Sequence, residues 1–262
     1  MRFSIITVCY NSSSTIERTI KSVLSQAFCD FEYIIIDGSS TDGTLEIIKS
    51  YESLFNGRLT WLSEPDTGIF NAMNKGIKRA KGDIIGIVNS DDWLEEDTLN
   101  TIQKSYEQTM TMKDNSLYCG AIRYHYSNYY QDMFPNLGMA YQSRKRLLLK
   151  GIWHPATFVP RKVYEKIGLF DEQFKIMADS DFIFRCYKSG INFVAVSAIL
   201  NNMSTGGASC SVKSYYKDYD KLLKKYHYSG WNYIWRYYKE VLVVALRRIL
   251  PSRLIKLYRS TY

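Results

Sequence analysis

The sequence predicts an α/β fold, a mostly parallel central sheet flanked by helices, with a basic helical extension at the C-terminus. Three observations carry that prediction. Short apolar runs alternate with segments of helical period through the first 110 residues, and strand-helix alternation of this kind builds parallel sheets covered on both faces. Acidic residues end two of the apolar runs, Asp37 after Phe31 to Ile36 and Asp91-Asp92 after Ile84 to Val88. Residues 213–262 carry a net charge of +9, whereas the 212 residues before them sum to −1.

In chain order, the spacing predicts a strand over 3–9, a helix over about 15–26, a strand over 31–36 and a helix over 42–51. A strand over 59–63, a helix over 69–80, a strand over 84–88 and a helix over 95–109 follow. Right-handed crossovers bring the tips of these strands to one edge of the sheet, the edge where open α/β sheets collect ligands. The first strand-to-helix turn, Asn11-Ser12-Ser13-Ser14, has no glycine fingerprint, which argues against a dinucleotide site of the Gly-x-Gly-x-x-Gly kind. Residues 110–150 are less regular, with a strand predicted over Leu117 to Tyr124. Beyond them come helical patterns at 161–167 and from Ala178 to about Lys188, and a strand near 192–197. Two adjacent glycines, Gly206-Gly207, followed by Ala208-Ser209, mark a flexible loop. In the tail, Trp231, Trp235, Tyr238, Leu242, Ala245 and Ile249 recur every three or four residues with Arg236, Lys239 and Arg247 off that stripe, the pattern of an amphipathic helix that Pro251 ends.

A chain of 262 residues with 46% of them hydrophobic and 23% charged has an ordinary globular composition. We expect a domain over 1–212, with a first half to about 110 and a second half from 111, followed by the tail at 213–262. Five scattered cysteines, Cys9, Cys29, Cys119, Cys186 and Cys210, form no Cys-x-x-Cys pair, which points to a reducing compartment. Met1-Arg2 leads directly into the first strand, so no signal peptide is expected. The uncharged apolar run Val241 to Leu246 is about a third of a membrane-spanning helix, so no crossing of a bilayer is expected. Because the positive charge lies in the tail, a nucleic-acid-binding core is not expected either.

Asp42 and Asp97 each open a predicted helix, where an N-cap is the ordinary role. Asp37, Asp91 and Asp92 precede the caps, and we expect them to face water at the strand tips. Adjacent carboxylates repel, a cost most easily met beside a divalent cation.

The ordered motifs Ser4 to Asn11, Ile36-Asp37-Gly38-Ser39-Ser40-Thr41-Asp42-Gly43-Thr44, Asp66-Thr67-Gly68 with Asn74-Lys75-Gly76, and Gly82-Asp83 leading to Asn89-Ser90-Asp91-Asp92 resemble family 2 glycosyltransferases, inverting enzymes of the GT-A fold. With the His154 and Asp179 segments the resemblance covers about residues 3–210. It implies that Asp37 receives the uracil or ribose of a nucleotide-sugar donor, that Asp66, Asn74 and Asp83 help line the donor pocket, and that Asp91 and Asp92 hold a divalent metal, Mn²⁺ or Mg²⁺, on the pyrophosphate. Such an ion stabilises the charge that develops on the leaving nucleoside diphosphate.

Inversion needs a base to deprotonate the acceptor hydroxyl. The resemblance implies two acids in a row at this point, whereas the chain has Ala178-Asp179-Ser180-Asp181, so Asp179 is favoured as the base with Asp181 left open; the ordinary reading of either acid is a cap on the helix running to Lys188. Asn89 replaces an acid often found in the metal motif. Both departures keep a catalytically degenerate nucleotide-sugar-binding module as the alternative. His154 is placed in the acceptor site, against the ordinary reading of a structural histidine, and Trp93 either stacks on a sugar or packs in the core. Gly206, Gly207 and Ser209 are expected in a loop over the donor phosphates. The expected reaction moves one sugar, from UDP-sugar by resemblance, to a glycan or lipid-linked oligosaccharide. The basic amphipathic tail is expected to lie on an anionic membrane surface at the cytoplasmic face.

Overall fold

The computed structural model describes residues 2–135, 137, 151–204 and 212–227. Residues 1–219 form one compact unit and residues 220–262 a second.

The alternation in the first half is realised as expected, with small shifts at the ends. Strands β1 (Phe3–Cys9), β2 (Phe31–Asp37), β3 (Leu59–Ser63) and β4 (Ile84–Ile87) pair in parallel in the order β3-β2-β1-β4. They are joined by helices α1 (Ile16–Leu24), α2 (Thr44–Tyr51) and α3 (Ile69–Arg79). Every residue of β1, β2 and β4 is buried, because helices cover both faces of a parallel sheet; this is why these strands appear in the sequence as unbroken apolar runs.

The second half of the sheet is mixed. Strand β8 (Thr157–Pro160) pairs antiparallel with both β4 and β6 (Ser116–His125), and β6 pairs parallel with β9 (Asn192–Ser204). The short strand β5 (Trp93–Leu94) closes the far edge against β9, and β7 (Tyr130–Met133) forms a hairpin with β6. Because Trp93–Leu94 pairs as a strand, helix α4 starts only at Thr98 and ends at Gln108. Strand β9 continues to Ser204, beyond the six residues expected, with a register irregularity beside Gly120. A Cβ at Gly120 would stand 2.2 Å from Leu200 Cδ1, so a side chain is excluded there. Helices α5 (Arg161–Ile167), α6 (Ala178–Lys188) and α7 (Val212–Lys225) complete the described chain.

A buried carboxylate organises the turn into β4. Glu32 Oε1 accepts the Ser4 hydroxyl at 2.6 Å and the Lys81 and Gly82 N–H groups at 2.6 and 3.1 Å. Gly82 passes so close to β1 that a Cβ would lie 2.6 Å from the Phe3 carbonyl carbon.

Among the described residues, no helix is long and apolar enough to cross a membrane. Gly206, Gly207, Ser209 and the tail stripe from Trp231 to Ile249 lie outside the described residues, as does most of the segment 136–150.

Candidate active site

The carboxyl ends of β1, β2 and β4 gather three polar loops at one sheet edge. Hydrogen bonds stitch the loops after β1 and β2 together. The Asn11 and Ser12 N–H groups donate to Ser40 Oγ and Thr44 Oγ1, both at 2.8 Å, and Thr41 N–H donates to Asn11 Oδ1 at 2.9 Å. Asn11 and Ser39 both adopt positive φ, 49° and 63°, which the tight loops require. Asp42 accepts the Thr44 hydroxyl at 2.5 Å, Ser13 N–H at 2.9 Å and Thr44 N–H at 3.1 Å; these bonds, the Thr44 hydroxyl first, hold its carboxyl below the usual range, but the N-cap of α2 is Gly43, so Asp42 ties the two loops instead of taking the capping position expected of it. Asp97 occupies the N-cap of α4, but its carboxylate takes the Asn100 side chain at 2.6 Å instead of a backbone N–H.

Asp37 is the last residue of β2 and is fully buried, so it does not face water as expected. Its carboxylate accepts the Ser40 hydroxyl, the Ser63 hydroxyl at 2.6 Å and Ser40 N–H at 3.1 Å. Ringed in this way, Asp37 shapes the loop that follows it. Asp66 stands over the same edge: its Oδ2 lies 3.2 Å from where a Cβ of Gly38 would be, and its Oδ1 is 2.6 Å from Lys75 Nζ. Lys75 also pairs with Glu64 at 2.8 Å. Lys75, which stands in the sequence only as part of the Asn74-Lys75-Gly76 motif, is therefore the group that holds Asp66 in place.

The loop after β4 meets the first loop through the Ser12 and Ser90 hydroxyls, 2.9 Å apart. The expected acid pair is divided. Asp92 is 2% exposed; its Oδ2 accepts Asn89 Nδ2 at 3.1 Å and its Oδ1 accepts Ser204 N–H at 3.4 Å. Burial first, then the neighbouring Asp91, pushes its carboxyl up to about 7. The half-buried Asp91 receives Arg18 and Ser204 on its backbone carbonyl, at 2.8 and 3.0 Å, and among the described residues no hydrogen bond reaches its carboxylate. No cluster of three or more His, Cys, Asp or Glu able to hold a metal occurs among the described residues. One open carboxylate and the buried Asn89 Oδ1, without a hydrogen-bond partner among the described residues, nevertheless fit a hard cation that takes most of its ligands from substrate phosphates and water.

Trp93 does not offer a free stacking face. The Arg18 guanidinium lies 3.7 Å from its ring centre and the His125 ring 4.7 Å away, so the indole joins β5 to α1 and β6.

Two expected donor residues lie elsewhere. Asp83 precedes β4, at the opposite edge of the sheet from Asp37, where its Oδ2 accepts Arg2 N–H at 3.4 Å; the motif continues into the strand, and the strand's length carries its two ends apart. Asn74, 3% exposed, donates to the Phe170 carbonyl at 2.9 Å and to Glu172 at 2.8 Å and accepts Phe170 N–H at 3.0 Å. It is a latch between α3 and the segment before α6, with no free polar group for a nucleotide.

The two acids that open α6 are distinct. Asp181 is fully buried and accepts Arg185 Nε–H at 2.8 Å, while Arg185 donates onward to the Ile167 and Leu169 carbonyls, each at 2.6 Å. Asp179 instead lines a cavity with His154, Tyr164, Phe170, Phe182 and Ile87, and Ile87 ends the strand that leads to Asn89. Its carboxylate accepts Ser180 N–H at 2.7 Å, and burial pushes it up to about 6. His154 faces this cavity with Nε2 buried and without a hydrogen-bond partner among the described residues; burial lowers the imidazole to about 4. The arrangement puts a basic carboxylate and a neutral imidazole in one apolar recess.

Comparison with known proteins agrees with this architecture. The model of a family described as "Glycosyl transferase family 2" matches residues 4–168. A "PGL/p-HBAD biosynthesis glycosyltransferase" of Mycobacterium bovis (strain BCG / Pasteur 1173P2) is 29% identical over 188 residues, 71% of this chain and 70% of that protein. A chondroitin synthase of Pasteurella multocida is 28% identical over 238 residues, 88% of this chain but only 24% of the synthase. Among solved structures, S. aureus TarS 1-349 in complex with UDP-GlcNAc superposes with a TM-score of 0.65 at 22% identity, covering 81% of this chain and 61% of TarS 1-349. A mannosyltransferase from Pyrobaculum calidifontis with GDP-Man and Mn²⁺ gives 0.63 at 16% identity, covering 87% and 65%. The fold is thus shared with GT-A glycosyltransferases.

Proposed function

The chain belongs to glycosyl transferase family 2, and from that premise we propose that it transfers one sugar from a UDP-sugar to a hydroxyl of a glycan or lipid-linked acceptor, with inversion and with Asp179 as general base. The observation that carries the assignment of the base is the contrast on α6: Asp181 is bound to Arg185, whereas Asp179 lines the cavity with His154. A carboxyl held at about 6 is ionised near neutral pH and basic enough to accept a proton from an attacking hydroxyl. Neutral His154 offers Nε2 to orient that hydroxyl or the sugar it belongs to.

Donor recognition is assigned to the edge built by Asp37, Asp66 and the loop at Asn89 to Asp92. Asp37 and its serine partners hold the nucleoside-facing loop in shape, and Lys75 fixes Asp66 beside it. Asp91 and the Asn89 side-chain oxygen face the diphosphate and would hold a divalent cation there. When bound, that ion stabilises the charge of the departing diphosphate. The choice of UDP is supported by the likeness to the UDP-GlcNAc complex of TarS; the choice of a lipid-linked acceptor at a membrane face is supported by the +9 charge of residues 213–262.

Thermal unfolding with a panel of UDP-, dTDP- and GDP-sugars, with and without Mn²⁺, tests the donor assignment. UDP-sugars are expected to raise Tm only with metal, and Asp91→Asn is expected to abolish the shift. A metal-independent shift unchanged in Asp91→Asn would remove Asp91 from the site.

A further inference from the structure

The turn that presents Asp179 is held by a carboxylate from far along the chain. Asp218, on α7 and 1% exposed, accepts three successive N–H groups on one oxygen, Oδ2: those of Lys175 at 2.6 Å, Ile176 at 2.7 Å and Met177 at 3.3 Å. Met177 is the N-cap of α6 and makes no side-chain capping bond of its own, while Asp179 is the second residue of that helix. The chain between α5 and α6 has no strand or helix; Asn74 and Arg185 hold its first part, at Ile167 to Phe170, and the three donors converging on one charged acceptor hold its last turn, from which α6 begins. A negative charge there also suits the positive end of the helix.

We propose that Asp218 is a positioning residue for the general base, fixing the entry turn of α6 so that the Asp179 carboxylate is held inside its cavity. The inference rests on the assignment of Asp179 as base. It acts through geometry: Asp218 is not among the residues lining the cavity, and the upward shift of Asp179 comes from burial, not from the Asp218 charge. The titratable groups near Asp179 are His154 and Tyr164 on the cavity lining and the Asp181–Arg185 pair on its own helix, and Asp218 is none of these.

The test is UDP release from the UDP-sugar that gives the largest thermal shift, measured on the full chain with four variants. Asp179→Asn establishes whether the base assignment holds. With that variant inactive, Asp218→Ala is expected to lower kcat about a hundredfold, the effect of a displacement of about 1 Å at a reacting group, while the KM for the UDP-sugar stays within twofold. Asp218→Asn, which keeps an acceptor oxygen in place, is expected to restore most of kcat. Should the alanine variant not fold, Asp218→Glu keeps charge and acceptors but lengthens the arm by one methylene, and it is expected to lower kcat about tenfold with donor KM unchanged. Full kcat in folded Asp218→Ala or Asp218→Glu, or a loss that appears only as a raised donor KM, overturns the proposal. If Asp179→Asn itself retains turnover, the base assignment has failed instead.

Discussion

Asp181 Oδ2 accepts Arg185 Nε–H at 2.8 Å one turn along α6, and Arg185 carries that bond on to two carbonyls of the preceding loop. The pair ties helix to loop and leaves Asp179, two residues earlier, as the acid that opens to the cavity. Asp181→Asn is therefore expected to destabilise the protein by about 2 kcal/mol, the range for a hydrogen bond between charged groups, read from urea unfolding. Asp179→Asn is expected to keep stability and nucleotide-sugar binding while lowering kcat at least about a hundredfold.

Turnover should rise with pH through about 6, because Asp179 must be deprotonated and its carboxyl is held near that value. The pH profile of kcat for UDP release shows this as an acid limb. Replacing Phe182, which lines the same cavity, by Asn is expected to admit water, weaken the desolvation and move the limb downward.

Asp92 supplies a stability test. Its folded carboxyl is raised from 3.8 to about 7, so the fold binds the proton more tightly than the unfolded chain, and stability from this group falls as pH rises through that window. In the metal-free protein, Asp92→Asn is expected to raise Tm by several degrees at pH 8 relative to wild type, with the gain absent at pH 4. Differential scanning calorimetry at the two pH values checks it.

Asn74→Ala removes three hydrogen bonds between α3 and the 170–172 segment. The expected cost is about 2–3 kcal/mol, since the Phe170 backbone groups are left buried without partners. The thermal shift produced by a UDP-sugar should be unchanged; a lost shift in a fully stable variant would return Asn74 to the donor pocket.

Gly82→Ala is expected to cost more than about 3 kcal/mol, because the added methyl meets the backbone of β1 at 2.6 Å and a backbone cannot rotate away as a side chain can. Gly76→Ala meets the side chain of buried Ile6, with Cγ2 at 2.5 Å; that methyl sits on a stiff β-branched Cβ, so the variant is also expected to destabilise, though less than Gly82→Ala because a side chain and not a backbone must shift. Urea midpoints of the two variants rank them.

Periodicity alone determined the parallel half of this protein. Buried strands and amphipathic helices announce themselves locally, in unbroken apolar runs and in spacings of three and four, and the acids at Asp37 and Asp91 were legible because they interrupt those runs at fixed points. The mixed half was less legible. Strand β5 has two residues and β7 four, too short to set a period, and both exist only because β9 and β6 offer them edges. Tertiary structure alone decided the roles of individual acids. Asp91 and Asp92 are identical neighbours in sequence, yet one strand-end turn leaves the first open and buries the second against Asn89 and Ser204. The same holds for Asp179 and Asp181, which the placement of Arg185 separates, and for Asp83 and Asn74, whose partners lie in segments far along the chain. Burial, and which partner arrives in space, set a carboxylate's proton affinity and availability, and neither property belongs to the residue's place in the chain.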